Sequence, residues 1–234
     1  YMPIIVNQIS SPLNATEQEV ISTALKKLGS ASKHAIECEI HKSSLDARKR
    51  NDIHFVHSVF VTLDSADLEK KLCEKNTSLT YVERSVYKPV ISTEKAEGKV
   101  VIAGFGPAGM FAGLALAEQG YRPIILERGS SMEKRTASVQ KFWITGELDT
   151  NCNVQFGEGG AGTFSDGKLT TRIKDPLCRY VLERFVDFGA PKEILTKAKP
   201  HIGTDNLRNI VTAIRKRIIE LGGEVRFDTA LTDL

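Results

Sequence analysis

Apolar and polar positions alternate in two different rhythms along the first part of the chain. Residues 3–9 read as a short apolar strand. Thr16-x-x-Glu19 spells a capping box, whose hydroxyl and carboxylate satisfy free backbone donors at a helix start. Val20, Ile21, Ala24, Leu25 and Leu28 then share one helical face, and Gly29 follows as a stop signal. In residues 35–41, Ile36, Cys38 and Ile40 alternate with Ala35, Glu37 and Glu39, as in a half-buried strand. Residues 55–63 are partly apolar on both faces, which predicts a central strand. A short helix over 66–74 would bury Leu68 and Leu72, and residues 86–91 close the set. The order βαββαβ is the split βαβ, ferredoxin-like arrangement. The polar stretch 92–98 has no apolar period and is the expected linker. Domains are therefore expected at 1–95 and 96–234.

The pattern changes after the linker. Residues 100–103 form an uninterrupted apolar run of the kind found in buried parallel strands. An Ala-rich helix over 107–119 follows, ended by Gly120, and then a strand over 123–126. Helices are expected over 130–142, over 175–188 with Pro176 near the first turn, and over 207–221. Thr204 or Asp205 would start the last of these. A strand over 224–227 follows Gly222 and Gly223. The fold class is thus α/β with an α+β N-terminal part.

Composition adds bounds. The chain has 234 residues, 26% of them charged and 41% hydrophobic, with a net charge of +3. This is the composition of an ordinary globular protein, not of a strongly basic nucleic-acid binder. Arg48-Lys49-Arg50 is the one tight basic cluster and reads as a solvated turn before a strand. No apolar run is long enough for a membrane helix, and the first residues lack signal-peptide character. Cys38, Cys73, Cys152 and Cys178 are scattered, without zinc spacing. Reduced thiols in a cytoplasm are the expectation.

The sharpest chemical signal is the turn after the apolar run. Gly104, Gly106 and Gly109 stand in G-x-G-x-x-G spacing between a strand and a helix, and the next strand ends in Glu127. Gly104 permits a tight turn, Gly106 lets backbone approach a pyrophosphate, and Gly109 lets helix pack on strand. The helix N-terminus offers free N–H groups and a positive dipole end to an anion. Glu127 would accept hydrogen bonds from ribose hydroxyls, and its charge opposes a 2′-phosphate. NAD and FAD share this turn. A second glycine-rich segment, 153–168, suggests backbone lying against a large planar or anionic ligand.

Gly104-Phe105-Gly106-Pro107-Ala108-Gly109, Leu126-Glu127-Arg128-Gly129, the run 156–169 and Pro200-His201-Ile202-Gly203-Thr204-Asp205 together resemble the bacterial FAD-dependent dehydrogenases of unknown substrate. More distantly, the turn is similar to glutathione-reductase-type flavoproteins. The resemblance implies an FAD site in a Rossmann-type FAD-binding domain. Gly104, Gly106, Pro107, Ala108 and Gly109 would hold the pyrophosphate, and Glu127 the ribose, with Arg128 beside the adenosine. It further implies that Arg135 contacts a phosphate or the flavin side. Gly159, Gly160, Ala161, Gly162, Ser165 and Asp166 would line the isoalloxazine, and backbone near Leu231 the adenine. NAD(P)H is the electron donor or acceptor such proteins use, and the substrate would be a small molecule.

Flavoproteins of that kind continue with a returning sheet segment and a substrate domain. The chain to Leu234 is accordingly expected to be the N-terminal portion of such a protein. Two other functions compete. One is an NAD-binding dehydrogenase, which keeps the turn but gives the glycine-rich segment no task. The other is a non-catalytic module that docks RNA or a protein through the N-terminal sheet. Phe55 and Phe60 fall on opposite faces of their strand, which makes a poor stacking platform for RNA.

Overall fold

The computed structural model describes residues 3–82, 97–165, 167–169, 171, 173 and 175–233. It is mixed α/β, with one antiparallel and one parallel sheet. The chain divides into two units. One comprises Tyr1–Tyr87, Thr170–Leu182 and Lys192–Pro200; the other comprises Lys88–Leu169, Glu183–Pro191 and His201–Leu234.

The first unit contains β1 (Ile4–Ser11), α1 (Glu17–Leu28), β2 (Ala35–Asp46), β3 (His54–Leu63), α2 (Ala66–Lys75) and β4 (Leu79–Tyr81). Its sheet has the order β2-β3-β1-β4, with each neighbouring pair antiparallel. The capping box forms as its residues dictate. Thr16 Oγ1 accepts the Glu19 N–H at 3.3 Å, and the Glu19 carboxylate accepts the Thr16 N–H at 2.7 Å. Ser65 caps α2 by accepting the Leu68 N–H. Ile4, Val6 and Ile9 of β1 and Val59, Val61 and Leu63 of β3 meet Val20, Ala24 and Leu28 of α1 in one core. Each of these buried Val, Leu and Ile side chains contributes about 1.5–3 kcal/mol.

Three register shifts interrupt the strand pairing, one in β1 and two in β2. β1 carries an extra residue between Val6 and Ile9 relative to β3, and Gln8 takes a left-handed φ of 58° there. This turns Ile9, rather than Gln8, toward the core. β2 carries an extra residue between Ala35 and Glu37. Ala35, Cys38 and Ile40 then pack on the core, while Ile36 is 61% exposed. The expected inward placement of Ile36 is corrected by that bulge, because one inserted residue flips every side chain before it. Residues 48–51 form the exposed turn between β2 and β3. The strand expected over 86–91 and most of the linker lie outside the described residues; β4 supplies an edge strand beside β1.

The second unit contains β5 (Val101–Ala103), α3 (Pro107–Glu118), β6 (Ile124–Leu126) and α4 (Met132–Thr145). The chain continues through α5 (Pro176–Asp187), whose residues divide between the two units, to α6 (Thr204–Glu220) and β7 (Glu224–Arg226). The sheet is parallel, in the order β5-β6-β7. Met110 and Leu114 of α3, Ile125 of β6 and Ile210, Ile214 and Ile218 of α6 are all buried. Gly113 marks the close approach of α3: a Cβ there would stand 2.5 Å from Ile125 Cδ1 and 3.4 Å from Ile218 Cδ1.

Two expectations change here. β5 is not a fully buried strand, since Val101 is 52% exposed and only Ile102 turns toward α3. A parallel strand is buried on both faces only where both faces are covered. The N-cap of α6 is Gly203, at φ 84°, and Thr204 is the first helical residue without acting as a side-chain cap. Among the described residues, no helix is long and apolar enough to cross a membrane. All four cysteines are free thiols.

Candidate functional site

A cavity of about 470 Å³ opens in the second unit beyond the carboxyl ends of β5 and β6. Ala103, Gly104 and Gly106 line one side, and Leu126, Glu127 and Arg128 another. Gln155, Phe156, Gly157 and Gly160 add a third, and Thr229, Ala230 and Leu231 close it. Ligands of open α/β sheets bind at this end of the strands.

The glycines of the turn do separate jobs. Gly104 has φ 90°, in the left-handed region. A Cβ on Gly109 would overlap the Gly104 carbonyl oxygen and come within 3.2 Å of Ile102 Cγ2. Gly106 is different, for a Cβ there would meet nothing within 4 Å. Its missing side chain therefore leaves open space in the cavity and relieves no contact inside the protein. Gly106 is also the N-cap of α3, Pro107 occupies the first turn, and no side chain of the described residues caps it. The N–H groups of that turn and the positive end of the helix thus stand beside the cavity. Pro107 and Ala108 are exposed.

Glu127 is buried and acts first as a backbone clamp. Its Oε2 accepts the Phe105 N–H at 2.6 Å, and its Oε1 accepts Gly129 N–H at 2.8 Å and Gly157 N–H at 3.2 Å. A carboxylate has about four lone-pair positions, so three are committed and capacity for a further donor remains. Arg128 is exposed and lies over the Phe156 ring, 3.8 Å from its centroid.

The role expected for Arg135 needs correction. Its side chain has no exposed surface and does not line the cavity. Nε donates to the Asn153 carbonyl, Nη2 to the Val154 carbonyl, and Nη1 to the Glu158 carbonyl and Thr163 Oγ1. Its guanidinium also lies over the Phe164 ring. Burial lowers its pKa to about 10, so it remains charged at neutral pH. A phosphate or flavin would have to displace four internal bonds to reach it. Arg135 instead organises the glycine-rich segment. Gly157 is glycine because a Cβ would strike Arg135 Cδ at 2.5 Å, at a φ of 117°.

The second glycine-rich segment is ordered around the first. Gly159 N–H donates to the Phe105 carbonyl at 2.9 Å. A Cβ on Gly160 would lie 3.0 Å from Pro107 Cδ and 3.5 Å from Gly106 Cα. Gly160 therefore faces the cavity, whereas Gly159 is buried against Thr163 and Val211. Ala161, Gly162 and Ser165 are exposed, and Ser165 Oγ donates to the Gly162 carbonyl. Asp166 lies outside the described residues. His201 is exposed and forms a backbone bridge with Lys168.

Several residues of the site carry no sequence signal. Glu158 is fully buried: its Oε2 accepts the Met132 N–H at 2.6 Å and pairs with Arg215 at 3.2 Å, and Oε1 has no partner among the described residues. Burial pushes its carboxyl pKa up. Thr229 N–H donates to the Glu127 carbonyl and Asp228 N–H to that of Gly129, which carries the chain past the cavity to Leu231.

Comparison with known proteins places few constraints on chemistry. A domain of unknown function, DUF8436, matches residues 2–62. An uncharacterized protein of Clostridium beijerinckii (strain ATCC 51743 / NCIMB 8052) is 44% identical over 231 residues. That match takes in 98% of this chain and 43% of the relative, so the chain spans less than half the length of this curated relative.

Proposed function

We propose that the second unit is a Rossmann-type domain that holds the ADP half of FAD, and that the protein is an FAD-dependent oxidoreductase acting on a small molecule. In the same reading the β1–β4 sheet of the first unit with α1 and α2 is a ferredoxin-like domain. The observation that carries it is the cavity at the carboxyl ends of β5 and β6, into which Gly106 and the uncapped start of α3 open. Its volume of about 470 Å³ is within the roughly 300–1,000 Å³ usual for cofactor sites.

The residues fit a dinucleotide. The first turn of α3 offers N–H donors and the dipole to the pyrophosphate. Glu127 keeps acceptor capacity for a ribose hydroxyl while it clamps three backbone amides. Arg128 and the backbone at Ala230 and Leu231 bound the adenosine end. Bound flavin supplies the redox chemistry, and the protein orients it and controls access. FAD is favoured over NAD because the second glycine-rich segment is hydrogen-bonded to the dinucleotide turn and lines the same cavity.

The absorption spectrum of the purified protein tests this. Flavin bands are expected, either as isolated or after incubation with FAD and desalting. A folded protein that stays colourless after that treatment would refute the proposal.

A further inference from the structure

A second cavity, of about 680 Å³, lies within the first unit, at the end of the core face of its sheet. Its walls include Leu13, Leu45 and Phe55, its floor includes His57, and Lys197 and Lys199 stand among its lining residues. The backbone of residues 196–198 is fastened beside β2: Ser43 N–H donates to the Thr196 carbonyl at 2.8 Å, and Ala198 N–H to the Ser43 carbonyl at 2.9 Å.

His57 is 7% exposed and sits between two hydroxyls. Ser11 Oγ is 2.9 Å from Nε2, and Ser43 Oγ is 2.8 Å from Nδ1. The direction of these bonds follows from the next one. With Ser11 Oγ placed to donate its proton to the Pro12 carbonyl at 3.2 Å, we assign the proton between Ser11 and His57 to Nε2, which donates to Ser11. Burial lowers the imidazole pKa and keeps the ring neutral near pH 7, so Nδ1 is bare and accepts from the Ser43 hydroxyl. Both serine protons are committed, and what the two oxygens retain is lone pairs. The floor therefore accepts hydrogen bonds. At the other lining segment, Lys197 pairs with Glu193 at 2.7 Å, and Lys199 has no ion pair among the described residues.

We propose that this cavity is a second ligand site, for a small organic acid whose apolar body carries a hydroxyl at the end away from its carboxylate. The hydroxyl donates to Ser11 or Ser43, the body packs on Leu45 and Phe55, and Lys199 takes the carboxylate. An apolar cavity with a few convergent polar groups and a perturbed histidine is the usual form of such a site.

The probes are 4-hydroxyphenylacetate, phenylacetate and tyramine, titrated calorimetrically. Saturable binding of 4-hydroxyphenylacetate is expected. Phenylacetate should bind about tenfold more weakly, the weight of one hydrogen bond, and tyramine more weakly still. Leu45→Trp fills the cavity from a position that is 57% exposed, and Lys199→Glu reverses the charge; each should lower affinity at least tenfold with an unchanged unfolding midpoint. Nitrogen NMR of His57 should show the Nε2–H tautomer. Absence of binding, equal affinity for the three probes, indifference to both substitutions, or the Nδ1–H tautomer would each overturn the proposal.

Discussion

Gly159 donates its backbone N–H to the carbonyl of Phe105 at 2.9 Å. This one bond joins two glycine-rich segments that are far apart in sequence and makes them adjacent walls of one cavity. Arg135 holds the second segment from beneath, and Glu127 draws in Phe105, Gly129 and Gly157 through their amides. Arg135 and Glu127 thus shape, from buried positions, a site with four glycines among its lining residues.

The glycines of the turn separate stability from binding. Gly106→Ala adds a methyl where nothing lies within 4 Å, at a φ of −74° that alanine accepts. The variant is expected to unfold at the wild-type denaturant midpoint and to bind FAD more weakly. Gly109→Ala forces a methyl into the Gly104 carbonyl and should cost about 1–3 kcal/mol of stability, as overpacking does. Equal stability losses in the two variants would contradict this division.

Arg135→Met removes four internal donors and leaves their acceptors unpaired in the interior. A loss of at least about 1–3 kcal/mol is expected, the cost of buried acceptors left unpaired, with faster amide exchange across residues 153–163. Arg135→Lys should not rescue it, because one ammonium cannot span the guanidinium's fork of donors. A wild-type unfolding curve for the methionine variant would sink the positioning role.

Glu127→Gln turns an amide NH₂ toward backbone N–H donors. At least one of the three bonds is lost, for about 1–3 kcal/mol. Guanidinium unfolding measures the loss, and a neutral substitution would show that the clamp is unimportant.

The acid limb of stability has a named contributor. Glu133 is held down to about 2 from 4.5, chiefly by Ser131, with its own backbone N–H and Arg215 adding to the effect. A depressed carboxyl stabilises the fold above pH 4.5, and that contribution is lost as pH falls from 4.5 toward about 2. Its side chain is 64% exposed, so the effect is under about 1 kcal/mol. Glu133→Gln should flatten the stability–pH slope in that window; an unchanged slope would remove Glu133 from the acid limb.

Local rules made much of this legible. Thr16 and Glu19 announce α1, and the glycine spacing announces the turn into α3, because capping and φ requirements act over a few residues. Parity was harder to read. Ile36 alternates correctly in sequence yet faces outward, since the bulge that displaces it depends on pairing with β3. Arg135 looks like a phosphate ligand in a chain rich in glycine and becomes a buried brace only when residues 153–163 fold over it. Glu158, Thr229 and the Ser11–His57–Ser43 relay carry no local signature, because each is assembled from segments brought together by the fold.

Titration of the protein with FAD, ADP and FMN, followed by flavin fluorescence and by competition, tests the central claim most directly. If the turn, Glu127 and Leu231 hold the ADP half, FAD binds saturably, ADP competes with it, and FMN does not bind. Equal binding of FMN and FAD, or no binding of FAD by the folded protein, would contradict the account.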